Sequence, residues 1–318
     1  MTLPTADTLV TYPVGDTESS SRVIHVERRD DGRVAVLLNT TAFHPVDAAW
    51  PDQGADRGAL LAGDRSWTVS DCVVGATDGT ALHLGDESPV RKGTEGWAFV
   101  VVHLIGQASA GQDADATGSP DDVDATALPA EGDEVVVQVD AAHRAAVSAG
   151  HTGCHLASLA LNRALSDRWK KEVAPDALGA PNFDALAINT TVIGEFGSVD
   201  LYRLGKSLRR KGFTVDGLDP DALAATVNTT LATWTATGAP ISIRTDGPGL
   251  TDRRRWVCAL PGELAEIPCG GTHLTSLAGT AVVVQLDLGD ADGTPQLRMR
   301  TRIATAGDGG HGGDGVTA

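Results

Sequence analysis

"GDEVVVQVDAAHRAAVSAGHTGCHL" spans residues 132–156, and the chain changes character inside it. "EVVVQV" is a β-branched run opened by Gly-Asp, the composition of a short strand. From Ala141 onward Ala and Leu recur at helical spacing, with charges on the far side, through "ASLALNRALSDRWKKEV" at 157–173. The periodicity predicts one long helix, or two joined near Gly150. A β-rich part therefore lies before residue 140 and a mixed part after it.

Upstream, "RVIHVERR", "RVAVLLN", "WTVSDCVVG", "TALHLG" and "GWAFVVVHLIG" are short β-rich runs broken by Gly and Asp turns. Several short strands without a long helix between them predict a small β-barrel domain over 1–140. An Asp-, Ala- and Gly-rich stretch near 107–130 interrupts it. With almost no large apolar residue, it reads as a disordered acidic excursion, an acidic binding tail being the functional alternative. Downstream, "DPDALAATVNTTLATWTATG" opens on an Asp-Pro helix entry. "APISIRT", "RRWVCALPG", "TAVVVQLDLG" and "QLRMRTRIA" read as strands. The fold class expected is α+β: the barrel, then an α+β domain over 141–304. The Gly-rich end, 305–318, reads as a disordered tail in which His311 is incidental.

Acidic residues number 42 against 25 basic, a net charge of −17. Such a surface repels a polyanion at long range, which argues against indiscriminate nucleic-acid binding and against DNA as a partner. No run approaches the roughly 18 apolar residues of a membrane span. The opening 22 residues lack the basic start and apolar run of an export signal. A cytoplasmic protein is expected, and there Cys72, Cys154, Cys258 and Cys269 point to metal chemistry sooner than to disulfides.

Two of those cysteines lie in the motifs that carry chemistry, "HTGCH" at 151–155 and "PCGGTH" at 268–273. Residues four apart on a helix share a face, so His151 and His155 aim at one spot. Taken alone, the pair also reads as polar residues near a helix start. In "CGGTH", Cys269 and His273 flank a Gly-Gly turn, and Gly270 and Gly271 free the backbone to fold the two side chains together. One thiolate and three imidazoles form a borderline-soft set that suits Zn²⁺. A zincin helix reads H-E-x-x-H, whereas 152–154 here are Thr, Gly and Cys, so a protease of that kind is not expected. Cys154 either lines the site or is a small buried residue.

The two motifs, in this order and separation, resemble the editing domain of alanyl-tRNA synthetase and its free-standing relatives, the AlaX proteins. That family carries a His-x-x-x-His helix and then a Cys-Gly-Gly-Thr-His turn. "GDEVVVQVDAAHRAAVSAGHTGCHL" is similar to its strand, Asp, Arg and helix. "FDALAIN" and "VNTTL" lie where it has an intervening strand and helix. "TTAFHP" (40–45) resembles its Thr-x-Phe-Tyr-Pro, with His44 in place of Tyr. "QGADRG" (53–58) resembles its Gln-Pro-x-Asp-x-Gly, and "VDAAWPDQ" stands where the family has Gly-Gly-Gly before the Gln. The similarity covers most of 33–302.

The resemblance implies zinc-dependent hydrolysis of the ester of mischarged tRNA(Ala), carrying serine or glycine, by an editing enzyme acting in trans. It implies that Thr41 meets the serine hydroxyl and that Gln53 meets the substrate amine or carbonyl. A strand Thr facing solvent and a surface Gln are the plainer readings. Four protein ligands close a tetrahedral shell, whereas a catalytic zinc keeps a position free. Catalytic and structural roles for the metal therefore both stand, as do a zinc hydrolase of a small acylated metabolite and a zinc-stapled binding module. "WKK" (169–171), "GKSLRRKG" (205–212) and "DRRRW" (252–256) are the basic islands that would hold phosphates or be ordinary solvated charge. Oligomeric state is not legible.

Overall fold

The computed structural model describes residues 3–106, 128–291 and 293–305. Most of the acidic stretch, at 107–127, lies outside them, as does the tail from 306 onward, His311 included. The chain divides into two compact units, Met1–Arg144 with Thr245–Arg253, and Ala145–Arg244 with Arg254–Ala318.

The first unit holds β1 (Leu9–Val10), β2 (Glu18–Arg28), β3 (Val34–Leu38), β4 (Thr40–Thr41), β5 (Gly58–Ala62), β6 (Arg65–Thr77), β7 (Leu82–Leu84), β8 (Ala98–Ile105) and β9 (Glu134–Val139). Seven of these form one sheet in the order β5-β9-β2-β3-β8-β6-β7, and β1 pairs with β4 in parallel. The barrel expected of this part is corrected. The end strands β5 and β7 do not pair among the described residues, so the seven-strand order does not close end to end, and the second pairing of β5, with Arg65–Val69 of β6, leaves β7 outside. The central strands also differ from barrel strands with one solvated face. Every residue of β3 and β8 is buried. Val34, Val36, Leu38, Phe99 and Val101 fill one side, and Ala35, Leu37, Val100, Val102 and Leu104 the other. A run buried on both faces reads as continuous apolar sequence, not alternation. The segment Thr245–Arg253 joins this unit through backbone bonds, Val10 N to Pro248 O (2.9 Å) and Leu250 N to Thr8 O (3.0 Å).

The long helix α1 (Ala141–Ala164) is continuous through Gly150, and the unit boundary falls inside it. The second unit adds α2 (Phe183–Ala187), β10 (Ile188–Gly194), β11 (Gly197–Arg203), α3 (Lys206–Arg210), α4 (Pro220–Thr235), β12 (Ile241–Thr245), β13 (Arg254–Leu260), β14 (Glu263–Pro268), β15 (Thr280–Ala291) and β16 (Thr294–Thr305). Its sheets are an antiparallel β10-β11-β16-β15 and a three-stranded β12-β13-β14. Asp219 caps α4 by accepting from Asp221 N and Ala222 N, as its Asp-Pro entry predicts. Asn228 of α4 donates to Val284 O (3.0 Å) and accepts from Val284 N (2.7 Å), so the helix satisfies the edge of β15. The core gathers Leu156, Leu161, Tyr202, Leu231, Trp256 and Met299.

Candidate metal centre

The helix α1 is built to carry two different faces. Its first turn is held by Asp140, whose carboxylate accepts from Ala142 N and His143 N, both at 3.0 Å. One face packs flat on the β10-β11-β16 part of the sheet through Gly150 and Gly153. A Cβ on Gly150 would stand 2.2 Å from Gly194 O and 2.8 Å from Gly197 O, so only glycine lets the helix lie there. The other face is Ser148, His151, Thr152 and His155, at the i, i+3, i+4, i+7 spacing of one helical stripe.

This stripe both carries ligands and fixes the turn that brings the others. Ser148 Oγ donates to Thr272 Oγ1 (2.9 Å), and Thr152 Oγ1 accepts from Leu274 N (3.1 Å). Cys269 N donates to Arg254 O (3.1 Å), tying the far end of the turn to β13. His151, His155, Cys269 and His273 thereby come together, one ligand atom from each lying within 4.8 Å of the others. Cys269 Sγ is 3.4 Å from His151 Nε2 and 3.3 Å from His273 Nε2. A tetrahedral ion with bonds of about 2.3 Å to sulfur and 2.0–2.1 Å to nitrogen separates such atoms by roughly 3.5 Å.

Two further observations fit a metal. The buried His155 Nε2 has no hydrogen-bond partner, and leaving such an atom unmatched is costly unless something else meets it. Burial lowers the His155 pKa to about 4, which keeps the imidazole neutral, the form that ligates. His273 Nδ1 lies 3.4 Å from Thr152 Oγ1, a weak contact suited to fixing the ring with Nε2 toward the cluster. Trp256, fully buried, walls the cluster with its ring 5.1 Å from His155 and 6.0 Å from His273. The set is a metal-ligand cluster compatible with a metal-dependent active site.

The glycines of the turn act differently from expectation. Neither Gly270 nor Gly271 has a positive φ, and a Cβ on Gly270 would meet nothing within 4 Å. What the turn gains at Gly270 is open space beside Cys269. Cys154 points away from the cluster. Its thiol donates to buried Asp200 (3.7 Å), which also accepts from Thr191 and Ser198, and it packs with Val147 and Ile193. Burial raises the Asp200 carboxyl to about 7.

Thr41 and Gln53 belong to the first unit. Thr41 is fully buried; its Oγ1 meets His103 Nε2 at 2.9 Å and accepts from Phe43 N at 3.1 Å. His103 Nδ1 donates to Val36 O (3.2 Å), so its Nε2 accepts the Thr41 proton, and burial lowers its pKa to about 4. Gln53 is buried with its amide 3.5 Å from His44 Nδ1. His44 lies edge-on to Tyr12 and is likewise lowered to about 4 by burial.

Sequence reading passed over the pair that organises this region. Asp56, inside "QGADRG", takes the Arg144 guanidinium through both oxygens, with side chains 4% and 6% exposed, and it accepts from His44 N. Arg144 also donates to Ala42 O (2.7 Å) and Asp16 O (3.2 Å). A lone Arg in the apolar "AAHRAAVSA" was the available signal. Gly58 closes the same motif because a Cβ there would stand 2.1 Å from Gln138 O. Of the basic islands, "WKK" and "GKSLRRKG" join, Lys170 N donating to Gly212 O and Lys171 Nζ to Arg210 O. "DRRRW" does not form a surface patch, since Arg254 is buried and Arg255 faces Glu266. No helix among the described residues is long and apolar enough to cross a membrane. No protein-family model matches the chain and no curated protein matches it.

Proposed function

We propose that the chain is a zinc-dependent aminoacyl-ester hydrolase that edits mischarged tRNA(Ala), carrying serine or glycine, in trans. The observation that carries the reading is the convergence of His151, His155, Cys269 and His273, in the family's two motifs, on one point. A zinc ion held there supplies Lewis acidity toward the ester carbonyl or the terminal ribose. The chain's residues supply the rest. Thr152 and Ser148 hold the turn in register with the helix, Trp256 keeps one side of the site dry, and Gly270 leaves the other side open to a substrate. An activated ester asks little acid catalysis of its leaving group, so placement and electrostatics suffice.

Amino-acid choice is assigned to Thr41 and Gln53. The Thr41 hydroxyl, donating to His103 and accepting from Phe43 N, keeps acceptor capacity for a serine hydroxyl. A serine hydroxyl buried there without that acceptor costs roughly 1–3 kcal/mol, about tenfold to a hundredfold in rate, whereas alanine has nothing to lose.

The test is deacylation of Ser-tRNA(Ala), Gly-tRNA(Ala) and Ala-tRNA(Ala) by the full chain, with and without a chelator. Chelator-sensitive loss of serine or glycine with alanine spared supports the reading. A metal-loaded chain inert on all three excludes it in favour of a structural metal. In the same assay Thr41→Val should slow serine removal at least tenfold with background alanine removal unchanged. Melting is followed in parallel, because the change also strips His103 of a partner.

A further inference from the structure

The four-stranded sheet of the second unit has one face covered by α1 and one that nothing covers among the described residues. Val282, Val284, Leu286, Leu297, Met299 and Ile303 point into the core. The alternate residues of β16 are Arg298, Arg300 and Arg302, all on the outward face. Side chains two apart on a strand repeat every 6.4–6.8 Å or so, close to the separation of neighbouring phosphates along a nucleotide chain. Register places Arg298 beside Leu201, Arg300 beside Val199 and Arg302 beside Gly197, so no carboxylate faces them from β11. From β15 they face Asp287, Gln285 and Val283. Asp287 is ion-paired with Arg300. Beside β16 the same face continues on β11. Arg203 pairs in register with Gln296, Leu204 N bonds Pro295 O (2.8 Å), and the chain turns directly into α3, which carries Lys206 and Arg210.

In a chain of net charge −17, four arginines on one uncovered sheet face, followed along the chain by Lys206 and Arg210 of α3, are a local reversal of sign. Guanidinium groups bind phosphate oxygens through two parallel N–H bonds, and such contacts position a nucleic acid without reading its bases. We propose that this row, Arg302-Arg300-Arg298-Arg203 leading to Lys206 and Arg210, is the surface on which the chain holds the ribose-phosphate backbone of its RNA substrate. The inference rests on the proposed function for the identity of that RNA. It adds where the RNA is held, and by a surface separate from the metal ligands. The row lies on the face of the sheet opposite α1, so it grips the body of the RNA and not the reactive 3′ end.

The experiment uses the full chain and two variants. One is Arg298→Gln/Arg302→Gln; the other, Arg28→Gln/Arg91→Gln, removes the same charge from the first unit. Binding of uncharged tRNA(Ala) is measured across a salt series, together with turnover of Ser-tRNA(Ala) and of a seryl ester of adenosine. Each lost phosphate contact lowers the salt slope by about 0.7–0.9. The Arg298/Arg302 variant should therefore lose a slope of about 1.5, bind on the order of tenfold more weakly at 0.1 M salt, and show a raised KM for charged tRNA at unchanged kcat. Turnover of the adenosine ester, which has no RNA body, should not change. The control variant should behave as the parent. Parental binding and slope in the Arg298/Arg302 variant overturn the proposal, as does an equal loss in the control. The same holds if the variant loses attachment to phosphatidylserine vesicles, or self-association, while still binding tRNA as the parent does. Should neither ester be hydrolysed while the slope still falls, the RNA surface stands and the proposed reaction fails.

Discussion

At the scale of single residues, the ligands were legible because metal chemistry limits the choice of side chain and of spacing. Their supports were not, because Ser148, Thr152 and Thr272 are ordinary residues until the fold sets them opposite one another. Asp56 and Arg144 lie 88 residues apart, beyond the reach of any local pattern. Removing one partner leaves a buried charge unmatched. Asp56→Ala should cost about 3–5 kcal/mol, whereas Asp56→Leu with Arg144→Met should recover much of the loss; urea unfolding measures both. The buried histidines set a pH dependence. His103 has a folded pKa near 4 against an ordinary 6.5, so between these values the unfolded chain takes up a proton that the folded chain refuses. Stability therefore falls as pH drops from 6.5 toward 4. From pH 7 to pH 5 the contribution of His103 is about 2 kcal/mol. His103→Gln should flatten the urea midpoint over that interval by a corresponding amount, and an unchanged slope would show that His103 is not the group responsible.

At the scale of elements, long periodic segments were readable and short polar ones were not. The helix over 141–164 follows from its Ala and Leu spacing, and α4 from its capped start. The hairpin of β10 and β11 escaped because "INTTVIG" is half polar and its strands are held by register with β16. "ELAEIP" escaped because it pairs only once β13 is beside it. The two glycines of α1 make a direct test of how that helix is seated. Alanine should favour a helix interior by about 1 kcal/mol over glycine. Gly153→Ala, whose Cβ would meet Thr301 and Ile303 at 3.4–3.7 Å, should keep most of that gain. Gly150→Ala would drive a methyl into Gly194 O and Gly197 O, and should instead destabilise by about 1–3 kcal/mol or more. Thermal melting of the two variants gives opposite signs if the packing is as described. Two matched stabilisations would contradict it.

At the scale of the whole molecule, the α+β class was readable but the barrel was not the outcome. Counting strands cannot tell a closed ring from a sheet whose end strands stay apart. That depends on pairing and on whether both faces of β3 and β8 find cover, which only the assembled chain decides. Net charge is an average and is blind to the row on β16, because alternation puts three Arg on one face of a strand whose other face is core. The central claim is the metal centre, and metal content measures it most directly. Zinc is determined per chain in the purified full-length protein and in His155→Ala and Cys269→Ala. The account expects about one zinc per chain in the parent, with most of it lost from each variant. Parent protein that stays metal-free when offered zinc, or variants that keep the full complement, would contradict it.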